Sequence, residues 1–361
     1  MKSRMLVHVS MDMNIQKDVH KQNTNAFELY KNGEYRNSLQ VAEQIYSKAP
    51  SNVDNHILLA SIQFQLRNLS AAIFYCQQAI RVEPNCAEAF CIMGNCLKEM
   101  NDLGSAVNFF HKSIRFNPRF ADVYNNLGLA LFLSPGNKTK ESLEAFQVAA
   151  SLDPSHCDSL CNIGTVSKML GRNNFAKEKY LEAIRIQPQC AIAWSNLGGI
   201  FVNHGDYSQA VNCYRHALNV MPNFPDALSN SGNAIFKLGK EDSNNAALVE
   251  RVAERYEKAL SLRPDFALSR ACYGLFCFKT GMKSKEDAMK QLRIAILQDD
   301  TCFDAMNNLA ALYFESGRLD DSLKLLLRVL KRKPEHWCAF NNLGNVLREM
   351  VSECSYGTIL R

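Results

Sequence analysis

Pro188-Gln-Cys-Ala-Ile-Ala-Trp-Ser-Asn-Leu-Gly-Gly-Ile-Phe-Val-Asn-His-Gly-Asp-Tyr-Ser-Gln-Ala-Val-Asn-Cys-Tyr-Arg-His-Ala-Leu-Asn-Val-Met-Pro222 is one full period of this chain. From its prolines inward, it spells a packing code for two helices. Gly198 stands ten residues after the first proline, where the lack of a Cβ lets two helices approach closely. Ala210, Tyr214 and Ala217 stand twelve, eight and five residues before the second proline, a small–bulky–small series at helical spacing. The closing proline has a fixed φ and no N–H to offer, so it ends the second helix.

The same period recurs along the chain. Prolines stand at Pro50, Pro84, Pro118, Pro154, Pro188, Pro222, Pro264 and Pro334, in steps of 34, 34, 36, 34, 34, 42 and 70 residues, with Asp300 in the proline's place midway through the last step. Ten residues after each comes Gly94, Gly128, Gly164, Gly198, Gly232, Gly274 or Gly344, with Ala60 and Ala310 in the remaining places. The bulky plugs of the second helices are Phe110, Phe146, Tyr180, Tyr214 and Tyr256. A two-helix unit of about 34 residues is the signature of tetratricopeptide repeats. The expected fold is all-α, a right-handed superhelical α-solenoid of about nine to ten repeats, which holds other molecules rather than enclosing an enzyme's pocket.

Nine full repeats are expected at 19–52, 53–86, 87–120, 121–156, 157–190, 191–224, 225–266, 267–302 and 303–336. The surplus residues at Ser134–Thr139 and Gly239–Asn245 fall between the two helices of their repeats, where a longer loop leaves the stack intact. Residues 1–18 carry four methionines in a mixed polar run and are expected to be a flexible tail. They resemble neither a membrane span nor a secretory signal, since Lys, His and Asp interrupt them. Residues 337–361 are expected to be a truncated tenth repeat with an irregular C-terminus. Its first helix, Trp337–Met350, would place Phe340, Leu343, Val346 and Leu347 on one face. Terminal repeats normally turn a polar face outward, so this reads as a chain cut short.

With 41 basic and 36 acidic residues, the charge is nearly balanced, and no strong field points to nucleic acid or a membrane. Thirteen cysteines, among them Cys91, Cys96, Cys161, Cys190, Cys213 and Cys272, fall at packing positions and are read as small hydrophobes in a reducing compartment. His156-Cys157 with Cys161 is the one local trio of metal-ligand type, and no second ligand cluster with finger-like spacing follows it. His111, His204 and His216 lie in separate repeats. No phosphate loop, HExxH or nucleophile elbow is present. No catalytic, metal or cofactor-binding residues are therefore assigned.

The functional signal stands eight residues after each proline: Asn126, Asn162, Asn196, Asn230, Asn308 and Asn342, with Thr24, Leu58, Ile92 and Cys272 in the same slot of the other repeats. Asparagine is a mediocre helix former, so its recurrence needs a reason. Its side chain carries an acceptor and two donors, enough to pair with another chain's C=O and N–H. Repeats stack at roughly 10 Å and an extended peptide rises about 3.3 Å per residue, so one asparagine meets about every third peptide unit. The other reading is that the side chain bonds within its own hairpin or to water. A carboxylate clamp would need Lys and Arg, whereas the neighbouring slot holds Cys161, Ser195, Ser229, Asn307 and Asn341.

Leu58-Leu-Ala-Ser-Ile-Gln-Phe-Gln-Leu66, Ala176-Lys-Glu-Lys-Tyr-Leu-Glu-Ala-Ile-Arg-Ile-Gln-Pro188 and Ala191-Ile-Ala-Trp-Ser-Asn-Leu-Gly-Gly199 resemble the repeat region of protein O-GlcNAc transferases, closest to the plant or protist type. The resemblance runs from about residue 25 to at least residue 236 and includes Asn223-Phe-Pro-Asp-Ala227. It implies a recruiting arm whose asparagine ladder maps onto the six asparagines above. Catalysis, with UDP-GlcNAc as donor to Ser or Thr hydroxyls, would lie on a region absent from these residues. It also implies clients presented as extended or disordered segments, a nuclear and cytoplasmic location, and a homodimer through the convex face. Ser208 and Val211 occupy the dimer positions, and the family's Trp anchor is missing. The related plant O-fucosyltransferase carries the same kind of arm. The alternative is a stand-alone scaffold without glycosyl transfer.

Overall fold

Each proline of the series falls two residues beyond the end of a helix, and the next helix begins three residues after it. The computed structural model describes residues 19–136, 138–239 and 246–359, with side chains to residue 351. The N-terminal tail, Asn137 of the first surplus loop and residues 240–245 of the second lie outside the described residues. Within them the chain forms nineteen helices and no strand. It is an all-α solenoid of helix hairpins, divided into two compact units at Ile186–Gln187.

The first unit contains α1 (19–31), α2 (Tyr35–Lys48), α3 (Val53–Gln65), α4 (Leu69–Val82), α5 (Ala87–Glu99), α6 (Leu103–Phe116), α7 (Ala121–Leu133), α8 (Thr139–Leu152), α9 (Cys157–Met169) and α10 (Asn173–Ile186). The second contains α11 (Ala191–Asn203), α12 (Tyr207–Val220), α13 (Pro225–Leu238), α14 (Ala246–Leu262), α15 (Ala267–Lys279), α16 (Lys285–Gln298), α17 (Phe303–Phe314), α18 (Leu319–Arg332) and α19 (Trp337–Ile359). Within each unit, first helices of successive hairpins touch, as α3 does α5 and α15 does α17. Second helices do not approach one another to that degree, so the first helices form the inner layer of the stack.

Close approach inside each hairpin rests on the glycine slot. A Cβ on Gly94, Gly128 or Gly164 would lie 2.6 Å from the ring of Phe110, Phe146 or Tyr180; on Gly198 it would lie 2.8 Å from Tyr214. Those four rings are at most 1% exposed. The alanines five residues before the prolines, Ala149, Ala183, Ala217, Ala259 and Ala295, are fully buried. Three serines replace the alanine expected twelve residues before the proline. Ser38, Ser142 and Ser322 are buried there, and their hydroxyls donate to the carbonyls of Ala26, Gly128 and Ala310 at 2.6, 2.8 and 2.8 Å. A polar group at a packing position is tolerated because it is bonded.

The turn inside six of the hairpins follows one scheme. Gly33, Arg67, Asn101, Gly171, Gly205 and Gly317 adopt positive φ, from 62° to 80°. The next residue's N–H bonds five residues back, as Asn68 does to Gln63 and Asp206 to Phe201, which satisfies carbonyls at the helix end. Asn68, Asp102 and Asp206 then cap the second helix by accepting from Ala71, Ser105 and Gln209 N–H groups.

The last helix departs from the sequence expectation in two ways. It continues past Met350 to Ile359, because Val351 to Tyr356 include neither Gly nor Pro to stop it. Its apolar residues also form two stripes rather than one. Val346 is buried, with Leu343 and Met350 packed on the same core, while Phe340 and Leu347 are exposed beside Trp337.

Candidate functional site

The six slot asparagines lie on the first helices α7, α9, α11, α13, α17 and α19, two residues before the glycine or alanine of the packing slot. Asn230 is exposed and the other five are half-buried. The residue just before each is more deeply set in five of the six: Asn125, Cys161, Ser195, Ser229 and Asn307 are buried, as is Cys91 before Ile92 in the repeat preceding Asn126, while Asn341 is exposed.

That inner row supplies acceptors to the next repeat. Asn162 Nδ2 donates to Asn125 Oδ1 at 2.9 Å, and Asn342 Nδ2 donates to Asn307 Oδ1 at the same distance. Asn126 Nδ2 reaches Cys91 Sγ at 4.0 Å, a weaker contact of the same kind. Burial raises the Cys91 thiol to about 12, with the Asn126 amide pulling the other way, so it stays a thiol. These amides therefore staple one hairpin to the one before it. Neither sequence reading of the slot anticipated this. The signal was present in the paired asparagines Asn125-Asn126 and Asn307-Asn308, which supply an acceptor and a donor one helix position apart.

The remaining asparagines differ. The residue of the preceding repeat that corresponds in register to Asn307 is Ala271, which has no side-chain acceptor to offer Asn308. Within their unit, the side chains of Asn196, Asn230 and Asn308 have no hydrogen-bond partner among the described residues. In the other repeats, Thr24 bonds to its own helix at His20 O, Leu58 is buried, and Cys272 packs beside the Tyr256 cluster.

His156, flagged with Cys157 and Cys161 as a local trio, has both ring nitrogens engaged elsewhere. Its Nδ1 accepts from Ser159 N–H at 3.1 Å, capping α9, and its Nε2 lies 3.2 Å from Asp122 Oδ1. The hydroxyl of Ser159, 2.8 Å from Nδ1, donates to Asn125 Oδ1 at 3.2 Å. Asp122, His156, Ser159, Asn125 and Asn162 thus form one continuous network between two hairpins. His336 repeats the cap on Ala339 N–H and lies 3.8 Å from Asp304. Of the implied dimer positions, Ser208 is exposed, while Val211 is partly buried against two core clusters.

Tetratricopeptide-repeat family models match residues 25–89, 87–120, 198–239 and 303–333. With the hairpin stack, they show that the chain is built of tetratricopeptide repeats. The anaphase-promoting complex subunit 3 of Schizosaccharomyces pombe is 24% identical over 262 residues, covering 73% of this chain and 38% of that protein. A probable UDP-N-acetylglucosamine–peptide N-acetylglucosaminyltransferase of Arabidopsis thaliana, SEC, is 33% identical over 85 residues, covering 24% of this chain and 9% of that protein. The chain spans well under half the length of these curated relatives. The crystal structure of the APC/C hetero-tetramer Cut9-Hcn1 shares the fold, with a TM-score of 0.65 at 16% identity over 86% of this chain and 59% of that one. No helix among the described residues is long and apolar enough to cross a membrane.

Proposed function

We propose that this chain holds extended segments of client proteins along its first-helix face, reading their backbones through the asparagine slot. The observation that carries this is the set of uncommitted amide groups. Asn196, Asn230 and Asn308 offer both donor and acceptor within their unit, and the stapled Asn126, Asn162 and Asn342 still present Oδ1. An amide pair of this kind contacts peptide groups rather than side chains, which suits clients of varied sequence.

Two settings suit such a holder. In a stand-alone assembly scaffold the face docks partner subunits, a setting supported by the relative that aligns with 73% of the chain. As the recruiting arm of an O-GlcNAc transferase, it would present Ser and Thr to a separate catalytic region that binds UDP-GlcNAc, in the nucleus and cytoplasm. That second setting is supported by the shorter but more identical match.

The test is a titration by fluorescence anisotropy with a labelled disordered peptide and its scrambled sequence. Backbone reading predicts affinities within about threefold of each other, less than about 0.7 kcal/mol. Loss of binding on scrambling would contradict it.

A further inference from the structure

A cleft of about 570 Å³ opens on the first three hairpins, in the first unit. Phe27, Ile57 and the buried Leu58 give it an apolar lining, and Phe27 is 47% exposed. Three exposed carboxylates, Asp54, Glu83 and Glu88, stand around it. Here the asparagine slot holds Thr24 and Leu58, so this part of the face lacks the amides of later repeats. Of basic side chains, His20 lines the cleft and Lys31 lies over the Phe27 ring at 4.6 Å.

Asp54 and Glu88 occupy the first turn of α3 and α5, four residues after a proline. The same position in later repeats holds Asp122, Asp158, Asp226 and Asp304; three of these have a basic neighbour, His156 at 3.2 Å from Asp122, Arg263 at 2.9 Å from Asp226 and His336 at 3.8 Å from Asp304, while Asp158 has no ion-pair partner among the described residues. Asp54 and Glu83 have no ion-pair partner among the described residues, and Glu88 has only the Cys86 thiol, 3.7 Å away. An acid at a helix N-terminus is favourable in itself. Asp158 shares the lack of a cation, so what sets Asp54 and Glu88 apart is that they also line an apolar cleft.

We propose that this cleft takes an extended basic segment of a partner protein. A large apolar side chain of that segment packs on Phe27, Ile57 and Leu58, and Lys or Arg residues meet Asp54 and Glu88. Those two carboxylates are one repeat apart, roughly 10 Å, which is about three residues of extended chain. The fitting pattern is thus two basic residues three apart with an apolar residue between them. The idea shares with the asparagine reading only the class of partner, and it involves different residues in different repeats.

The probe is a fluorescein-labelled Gly/Ser peptide carrying Arg-Leu-Ser-Arg, with an Arg→Glu version and a Leu→Ser version as controls, titrated against the full chain. We expect binding by the first peptide, weaker binding by both controls, and a loss of about two- to thirtyfold in D54N/E88Q, as for two exposed ion pairs. Both substitutions are isosteric at exposed sites, and a thermal melt confirms folding. The same comparison in the N196A/N230A/N308A chain keeps the preference for the Arg peptide over both controls, whatever happens to the overall affinity, which separates failure here from failure of the asparagine reading. Absent binding, equal binding by the Glu peptide, or an unaltered D54N/E88Q overturns the proposal. So does binding that appears only after removal of residues 1–18, which assigns the cleft to the chain's own N-terminal segment. Self-association abolished by D54N/E88Q assigns it to a second copy and overturns the proposal equally.

Discussion

The amide of Asn162 donates to the carbonyl oxygen of Asn125 at 2.9 Å, joining the hairpin α9–α10 to the hairpin α7–α8. Asn125 is 7% exposed and also accepts from Ser159, so it is the hub of an inter-repeat network. Its replacement by alanine leaves two polar groups short of a partner. We expect Asn125→Ala to cost about 1–3 kcal/mol in urea unfolding. Asn126→Ala, where the side-chain hydrogen bond among the described residues is to a sulfur at 4.0 Å, should cost less. A double-mutant cycle on Asn125 and Asn162 should give a coupling of about 0.5–1.5 kcal/mol. Zero coupling would remove the staple.

Glycine has opposite meanings at the same slot. A Cβ at Gly128 would meet the Phe146 ring at 2.6 Å, whereas one at Gly344 meets nothing within 4 Å. Overpacking costs about 1–3 kcal/mol, and the helix preference for Ala over Gly is worth about 1 kcal/mol. Gly128→Ala should therefore lower the melting temperature and Gly344→Ala should leave it unchanged or raise it. Equal responses would show that the close helix approach does not depend on the missing methyl.

Two of the hairpin turns carry strain that glycine relieves. Arg67 and Asn101 adopt φ of 63° and 62°, in the position that Gly33, Gly171, Gly205 and Gly317 hold elsewhere. Asn101→Gly should be neutral to mildly stabilising, since Asn tolerates this region. Arg67→Gly should gain about 1 kcal/mol, less whatever the exposed Arg67–Glu99 ion pair contributes. Thermal melts of both variants check this, and a drop in stability for both would contradict it.

The His156–Asp122 pair makes one contribution to stability pH-dependent. The hydrogen bond to Asp122 raises the His156 pKa against the opposing effect of burial, and the same bond lowers that of Asp122. A raised histidine contributes stability that is full below its ordinary value near 6.5 and is lost as pH rises through the folded value. A lowered carboxylate contributes above its ordinary 3.8, and that is lost as pH falls through its folded value. Asp122→Asn should thus reduce the urea midpoint more at a pH between these ordinary values than at pH about 8.5. A deficit that does not change with pH would contradict the pairing.

The fold was legible because its marks are periodic and steric. The prolines fall just past helix ends, and the glycine–aromatic pairs such as Gly164 and Tyr180 touch as their spacing implies. What escaped the sequence reading depends on neighbours in space. The positive-φ position is obscured where Arg67 and Asn101 replace glycine. The second apolar stripe of α19 lies in one residue series with the first and separates only when the helix docks. The asparagine slot was legible as a pattern, but its bonding was not, because a donor on one repeat and an acceptor on the previous one lie 37 positions apart at Asn162 and Asn125. The acidic cleft was missed for the same reason, since only packing shows that Asp54 and Glu88 lack the cation that Asp122 has.

Stapling and peptide holding are separable in the second unit, where the side chains of Asn196, Asn230 and Asn308 have no hydrogen-bond partner among the described residues of that unit. The decisive measurement is the affinity of a labelled disordered peptide for the N196A/N230A/N308A chain against the unaltered chain, with melting temperatures recorded for both. Peptide holding predicts binding weakened by about tenfold or more, as when three hydrogen bonds of about 0.5–1.5 kcal/mol each are removed, with little change in melting temperature. Unchanged affinity in a chain that remains folded would show that these asparagines do not hold the peptide.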